Sequence, residues 1–226
     1  MFQNFISDYP CKKDIWILWD NSYSLGEKAF QDEVRPFMKN LINSTNLNVG
    51  PNGTHIGILS FSTQANTRVL LELGEKKTRD ELLYYLDCLK YNRISGNGTR
   101  TGMALKIADE KFPWVSPQNY RADVGDVILI FTNGEPVRRP GEDNFGDKYK
   151  SSRFGESMLA KDRAQNLRSR DIVVAQLAVG TNYTLRKFRK NVKEWSPAEI
   201  YFEMNKYHLE SNNTIMVELI RSFGIK

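Results

Sequence analysis

Asp20, Ser22 and Ser24 stand two residues apart in the run AspAsnSerTyrSer, directly after the apolar stretch IleTrpIleLeuTrp at 15–19. A turn leaving a strand can aim alternate side chains at one point, so this spacing gathers one carboxylate and two hydroxyls. An oxygen-only donor set of that kind suits a hard cation, Mg2+ or the similarly hard Mn2+. Taken alone, the run is equally an ordinary turn and helix cap, because Ser and Asp after a strand serve both purposes. Two further segments bring more oxygen. SerGlyAsnGlyThrArgThrGlyMetAlaLeu at 95–105 is a glycine-rich loop that presents Thr99 and Thr101 just before a helical pattern, and the apolar run ValIleLeuIlePhe at 127–131 leads to Asn133.

These residues need elements that bring them together. The runs at 15–19, 127–131 and 172–179 are apolar throughout instead of alternating, which reads as strands covered on both faces. Helical periodicity lies between and after them. Phe30, Val34, Phe37, Met38, Leu41 and Ile42 share one face of a helix from Glu27 that Pro36 should kink. Leu82, Leu83, Leu86 and Leu89 mark a second helix, Met103, Ile107 and Ala108 a third, and Ile215, Met216, Leu219, Ile220 and Phe223 the last. Residues 55–62 and the strand pattern from Thr67 are separated by ThrGlnAlaAsn, enough for a hairpin but too short for a crossover, so that pair is antiparallel. The expected fold is α/β: a doubly wound, mostly parallel six-stranded sheet with one antiparallel edge strand and helices on both faces. Residues 1–226 form one domain in this reading, with a core at about 14–223. In such a sheet ligands bind at the carboxyl ends of the strands where the order reverses, which is where Asp20 and Asn133 would lie.

Asp-X-Ser-X-Ser, the Gly-Thr-X-Thr-type loop and a fourth strand ending in ThrAsnGly, in this order, resemble the von Willebrand factor A, or integrin inserted, domain family. The resemblance extends from about Asp14 to Phe223. It implies a metal-ion-dependent adhesion site in which Ser22, Ser24 and Thr99 coordinate through hydroxyls, Asp20 acts through water, and Thr101 caps or packs. The family's last aspartate falls on Asn133. An amide oxygen can still coordinate but brings no charge, so it should hold the ion more weakly and leave it more electrophilic toward a carboxylate from a partner. A narrower resemblance, in composition and texture, is to the A domains of apicomplexan surface adhesins of the thrombospondin-related type, and it implies cell attachment or parasite motility and invasion.

The segment from Gly134 to about Arg153 is a long polar insertion emerging beside Asn133. Two readings stand for it: a wall of the ligand surface, or a solvated excursion. On a predicted helix, Arg186, Lys187, Arg189, Lys190 and Lys193 make five cations within eight residues. Arg186, Lys190 and Lys193 can share one face, suited to a sulfated glycosaminoglycan, while Phe188 and Val192 point inward. The alternative is an ordinary solvated face.

Other classes are disfavoured. A net charge of +5 with no recognition motif does not indicate a nucleic-acid binder. No apolar run reaches the roughly 18 residues of a membrane span, and residues 1–6 carry no leader pattern. There is no Gly-X-Ser-X-Gly elbow, phosphate-cradling loop or His-Glu-X-X-His, and His55 and His208 have no evident partners, so no enzyme is expected. Cys11 and Cys88 are too few for a disulfide framework, and Cys88, among helical leucines, reads as a small buried hydrophobe. Sequons at Asn43, Asn52, Asn97, Asn182 and Asn212 lean toward the secretory route and an extracellular or cell-surface location. Three functions remain: a cation-dependent adhesion domain accepting a partner's carboxylate, a metal-deficient scaffold for protein–protein interaction, and an intracellular domain in a larger assembly.

Overall fold

The computed structural model describes residues 12–91, 98–112, 121, 123–151, 154–205 and 209–224. Strands β1 (Lys13–Asp20), β2 (His55–Phe61), β3 (Arg68–Leu71), β4 (Gly125–Thr132), β5 (Val173–Gly180) and β6 (Ile200–Asn205) form one sheet in the order β3-β2-β1-β4-β5-β6. All pairings are parallel except β2 with β3, the hairpin at the edge. The order runs outward from β1 in both directions, so the switch point lies between β1 and β4.

Continuous apolar runs occur because alternate residues of each central strand serve opposite faces. Ile15, Ile17, Trp19, Val127, Leu129 and Phe131 join one core cluster with α2 (Arg35–Asn43), α3 (Arg79–Cys88) and α7 (Leu209–Ser222). Trp16, Leu18, Ile128 and Ile130 join a second with α4 (Thr101–Lys111) and α5 (Gly155–Arg168). Each fully buried Leu or Ile contributes about 1.5–3 kcal/mol. A small third cluster seats α6 (Asn182–Trp195) through Leu185 and Phe188 against Ala178.

Two expectations change. The irregularity expected at Pro36 is a π-helical stretch, Phe30–Val34, between α1 (Gly26–Ala29) and α2, so the helix adjusts just before the residue that cannot donate a backbone hydrogen bond. Cys88 is an exposed free thiol, because only Leu82 and Leu86 of α3 turn fully inward and the helix ends at Cys88. The sequon at Asn97 lies outside the described residues, as do the side chains of Asn182 and Asn212, while Asn43 and Asn52 are exposed.

Candidate functional site

At the carboxyl end of β1, Asp20 is wholly buried, and its two oxygens are held separately. Ser22 N–H donates to Oδ1 at 2.8 Å and Thr132 Oγ1 donates to Oδ2 at 2.7 Å. Burial raises the Asp20 carboxyl above its ordinary range, and these hydrogen bonds, with one from the Asn133 backbone, oppose that rise. The acid is therefore solvated by neutral donors, with no side-chain cation beside it among the described residues.

Above Asp20 the chain turns back toward the sheet. Ser22 Oγ lies 2.9 Å from Ser24 Oγ, and Ser24 Oγ donates to Asn133 Oδ1 at 3.1 Å. Three side-chain oxygens from two strand ends thus form a continuous chain. Two neighbouring ligands on an octahedral Mg2+, each at about 2.0–2.1 Å, stand roughly 2.9 Å apart. The spacing and the donor chemistry fit such an ion. Thr99 enters from the third loop, where it exchanges backbone hydrogen bonds of 2.8 and 3.0 Å with Val137. Ser22, Ser24, Thr99 and Asn133 all line one cavity of about 370 Å³. Gly180, at φ 153°, permits the close start of α6, since a Cβ there would lie 2.3 Å from Thr184 Oγ1. Thr101 packs at the start of α4 without capping it, and its Oγ1 has no hydrogen-bond partner.

The insertion after Asn133 is folded onto the protein. Among its described residues, Glu135 and Val137 line the cavity, and Glu142 and Asp143 are held by Arg100, whose side chain is fully buried. Arg100 donates to Glu156 at 3.0 Å, to Glu142 at 3.1 Å and to the Asp143 carbonyl at 2.8 Å. Gln64 exchanges two more hydrogen bonds with Glu142 and Asp143. Sequence reasoning missed Arg100, which reads as one more polar residue in a glycine-rich loop. Its position between Thr99 and Thr101 is the signal in hindsight.

The cations of α6 divide. Lys187 joins the cavity wall with Tyr183, and Arg189 donates to both oxygens of Glu203 at 2.7 Å. Arg186, Lys190 and Lys193 are exposed and have no carboxylate partner among the described residues, while Phe188 is buried and stacks on Tyr201.

His55 lies at the opposite edge of the sheet, and here the sequence reading is corrected: it has partners. Its Nε2–H donates to the Pro51 carbonyl, 3.1 Å away, and Nδ1 is 3.7 Å from Asp14. Arg121 pairs with Asp14 and reaches the carbonyls of Lys13 and Gly53. Asp126, beside Asp14 in the β1–β4 register, is pushed up to about 7 by burial and then by the Asp14 charge. Pro51 is four residues away, but Asp14 and Arg121 come from distant segments that no spacing announces. His208 lies outside the described residues.

Comparison with known proteins bears on this geometry. Residues 14–211 match the family described as von Willebrand factor type A domain. The human collagen alpha-5(VI) chain is 30% identical over 57% of this chain, and sporozoite surface protein 2 of Plasmodium yoelii yoelii is 28% identical over 56%. The matches span only 5% and 15% of those two relatives' lengths. Among solved structures, manganese-loaded Plasmodium vivax TRAP protein superposes with a TM-score of 0.59 at 17% identity, covering 91% of this chain and 73% of that one.

Proposed function

Because the chain belongs to the von Willebrand factor type A domain family and is thereby an adhesion or protein-interaction domain, we propose that it acts outside the cell as a cation-dependent adhesion domain. The observation that carries this reading is the contact chain of Ser22, Ser24 and Asn133 oxygens over the buried Asp20, opening into a cavity. Ser22, Ser24, Thr99 and Asn133 would hold Mg2+ or Mn2+, with Asp20 behind them acting through water. The manganese-loaded structural neighbour supports a divalent ion of this class. When bound, the ion supplies a Lewis-acid position for a carboxylate from an extracellular protein partner. The protein's own contribution is orientation: Thr132 and Ser22 fix the Asp20 carboxylate, Val137 fixes the Thr99 backbone, and Arg100 fixes the insertion that walls the cavity. No step in this reading is catalytic. The sporozoite relative is a surface protein, which agrees with a cell-surface role in attachment or invasion.

The test is calorimetric titration with Mg2+ and Mn2+. Asn133→Asp adds a full charge to the ligand set and should tighten binding by about tenfold or more, roughly 1.4 kcal/mol. Unchanged or weaker affinity in that variant removes Asn133 from the ligand set. If neither ion binds the native chain, it is the metal-deficient interaction scaffold instead.

The exposed trio Arg186, Lys190 and Lys193 supports a second contact, with sulfated glycosaminoglycan. Retention on a heparin column should fall as salt rises, survive EDTA, and drop to that of a protein of equal net charge when all three become Ala. Retention lost in EDTA would assign it to the cation site.

A further inference from the structure

Two of the candidate cation-site residues are joined by the insertion itself. It leaves the sheet at Asn133, just after β4, and four residues later Val137 exchanges two backbone hydrogen bonds with Thr99, at 2.8 and 3.0 Å. This short bridge sets how far Thr99 stands from Asn133. Beyond the bridge the insertion is closed by Arg100, the residue that follows Thr99. On one side Arg100 is anchored by Glu156, which is buried and also accepts from the Met103 backbone at 3.1 Å, so α4 and α5 supply the base. On the other side the guanidinium reaches Glu142 and the Asp143 carbonyl, and the Phe145 ring centroid lies 5.4 Å from it. Glu142 gathers two further donors, the backbone N–H groups of Gln64 at 2.8 Å and Arg139 at 3.1 Å. Hydrogen bonds to charged groups are the strong ones, and here they converge on one closing point. None of Gln64, Glu142, Asp143 or Glu156 lines the cavity.

We propose that Arg100 is a positioning residue for the cation site. It holds the insertion closed, the closed insertion keeps Thr99 and Asn133 at one separation, and an ion held by both keeps the insertion closed in return. This rests on the cation reading of the site. The two effects are one coupling free energy, so the factor by which closure tightens the ion equals the factor by which the ion favours closure.

Arg100 itself is a poor handle, because its loss would leave the Glu156 carboxylate buried alone. Glu142→Ala instead removes the acceptor of three closing bonds and leaves Arg100 paired with Glu156. Mg2+ affinity is measured by calorimetry, and opening of the insertion by hydrogen exchange of the Gln64 and Asp143 amides, which donate to Glu142 and to the Gln64 side chain. In the native chain, saturating Mg2+ should slow both amides about tenfold relative to EDTA. The Ser44 amide, in the turn that ends α2, should be unaffected. Glu142→Ala should lower Mg2+ affinity about threefold or more, but by no more than the factor by which Mg2+ slows native exchange. The loss should hold in 0.5 M NaCl, where direct attraction of the ion to the Glu142 charge is screened. An unchanged melting temperature in EDTA will show that the variant keeps its fold, and the exchange measurement, made on the native chain, decides the matter if it does not. Native Mg2+ binding with exchange that ignores the ion, an unchanged affinity in Glu142→Ala, or a loss that salt abolishes each overturns the proposal and leaves the cation reading standing. If the native chain takes up neither Mg2+ nor Mn2+, both fall.

Discussion

The two ends of the central strands β1 and β4 solve the same problem differently. At the amino end, Asp14 is wholly buried and receives a guanidinium from Arg121, with His55 and the Asp126 carboxyl beside it. At the carboxyl end, Asp20 is equally buried but receives only hydroxyls and backbone amides. The first cluster is closed, its charge balanced by the chain's own cation. The second leaves a buried carboxyl held by neutral donors beneath an open set of oxygens, where an outside cation would offset the burial that opposes its ionisation. A buried acid near a strand end is therefore not enough to mark a site; what neutralises it decides.

Breaking the closed end should have the largest effect. Arg121→Met keeps the aliphatic stem but leaves Asp14 buried without its guanidinium, and should cost about 3–5 kcal/mol in denaturant unfolding without changing cation affinity. A loss below about 1 kcal/mol would mean that His55 and water suffice for Asp14, and the contrast between the ends would weaken.

The same Asp→Asn exchange at each end sharpens the comparison further. Asp126 has its carboxyl raised from 3.8 to about 7. Its contribution to stability is thus fully present below about pH 4 and lost as pH rises through 7. Asp126→Asn removes that loss, so the variant should be more stable than the native chain at pH 8 by about 1–2 kcal/mol, allowing for partial solvent screening, and indistinguishable from it near pH 4. Equal stability at pH 8 would show that Asp126 ionises freely. Asp20→Asn should change stability least, by less than about 1 kcal/mol, because lost hydrogen bonds and relieved charge burial offset each other. Its effect should appear in the titration, as at least a tenfold loss of Mg2+ affinity. A large stability loss with unchanged cation binding would make Asp20 a structural acid like Asp14.

The sequence by itself determined the sheet and the place of the candidate site. Continuous apolar runs specified β1, β4 and β5, a four-residue gap specified the β2–β3 hairpin, and chain order put Asp20, Thr99 and Asn133 at one edge. Those are local signals, carried by periodicity and by turns too short to allow alternatives. The strand β6 and the helix α5 were not legible in that way. IleTyrPheGluMetAsn mixes its apolar and polar positions, and α5 packs through small residues, with Gly102 of α4 so close that a Cβ would sit 2.8 Å from Leu159 Cγ. Only the tertiary structure decided which charges are spent and which remain available. Arg100 and Glu142 are 42 positions apart, Asp14 and Arg121 107 apart, and Arg189 meets Glu203 across two elements. Burial and pairing at that separation depend on where whole elements pack. Composition counts such residues alike as surface charge, whereas packing makes Arg100 a strut, Arg121 a counterion and Arg186 an exposed cation.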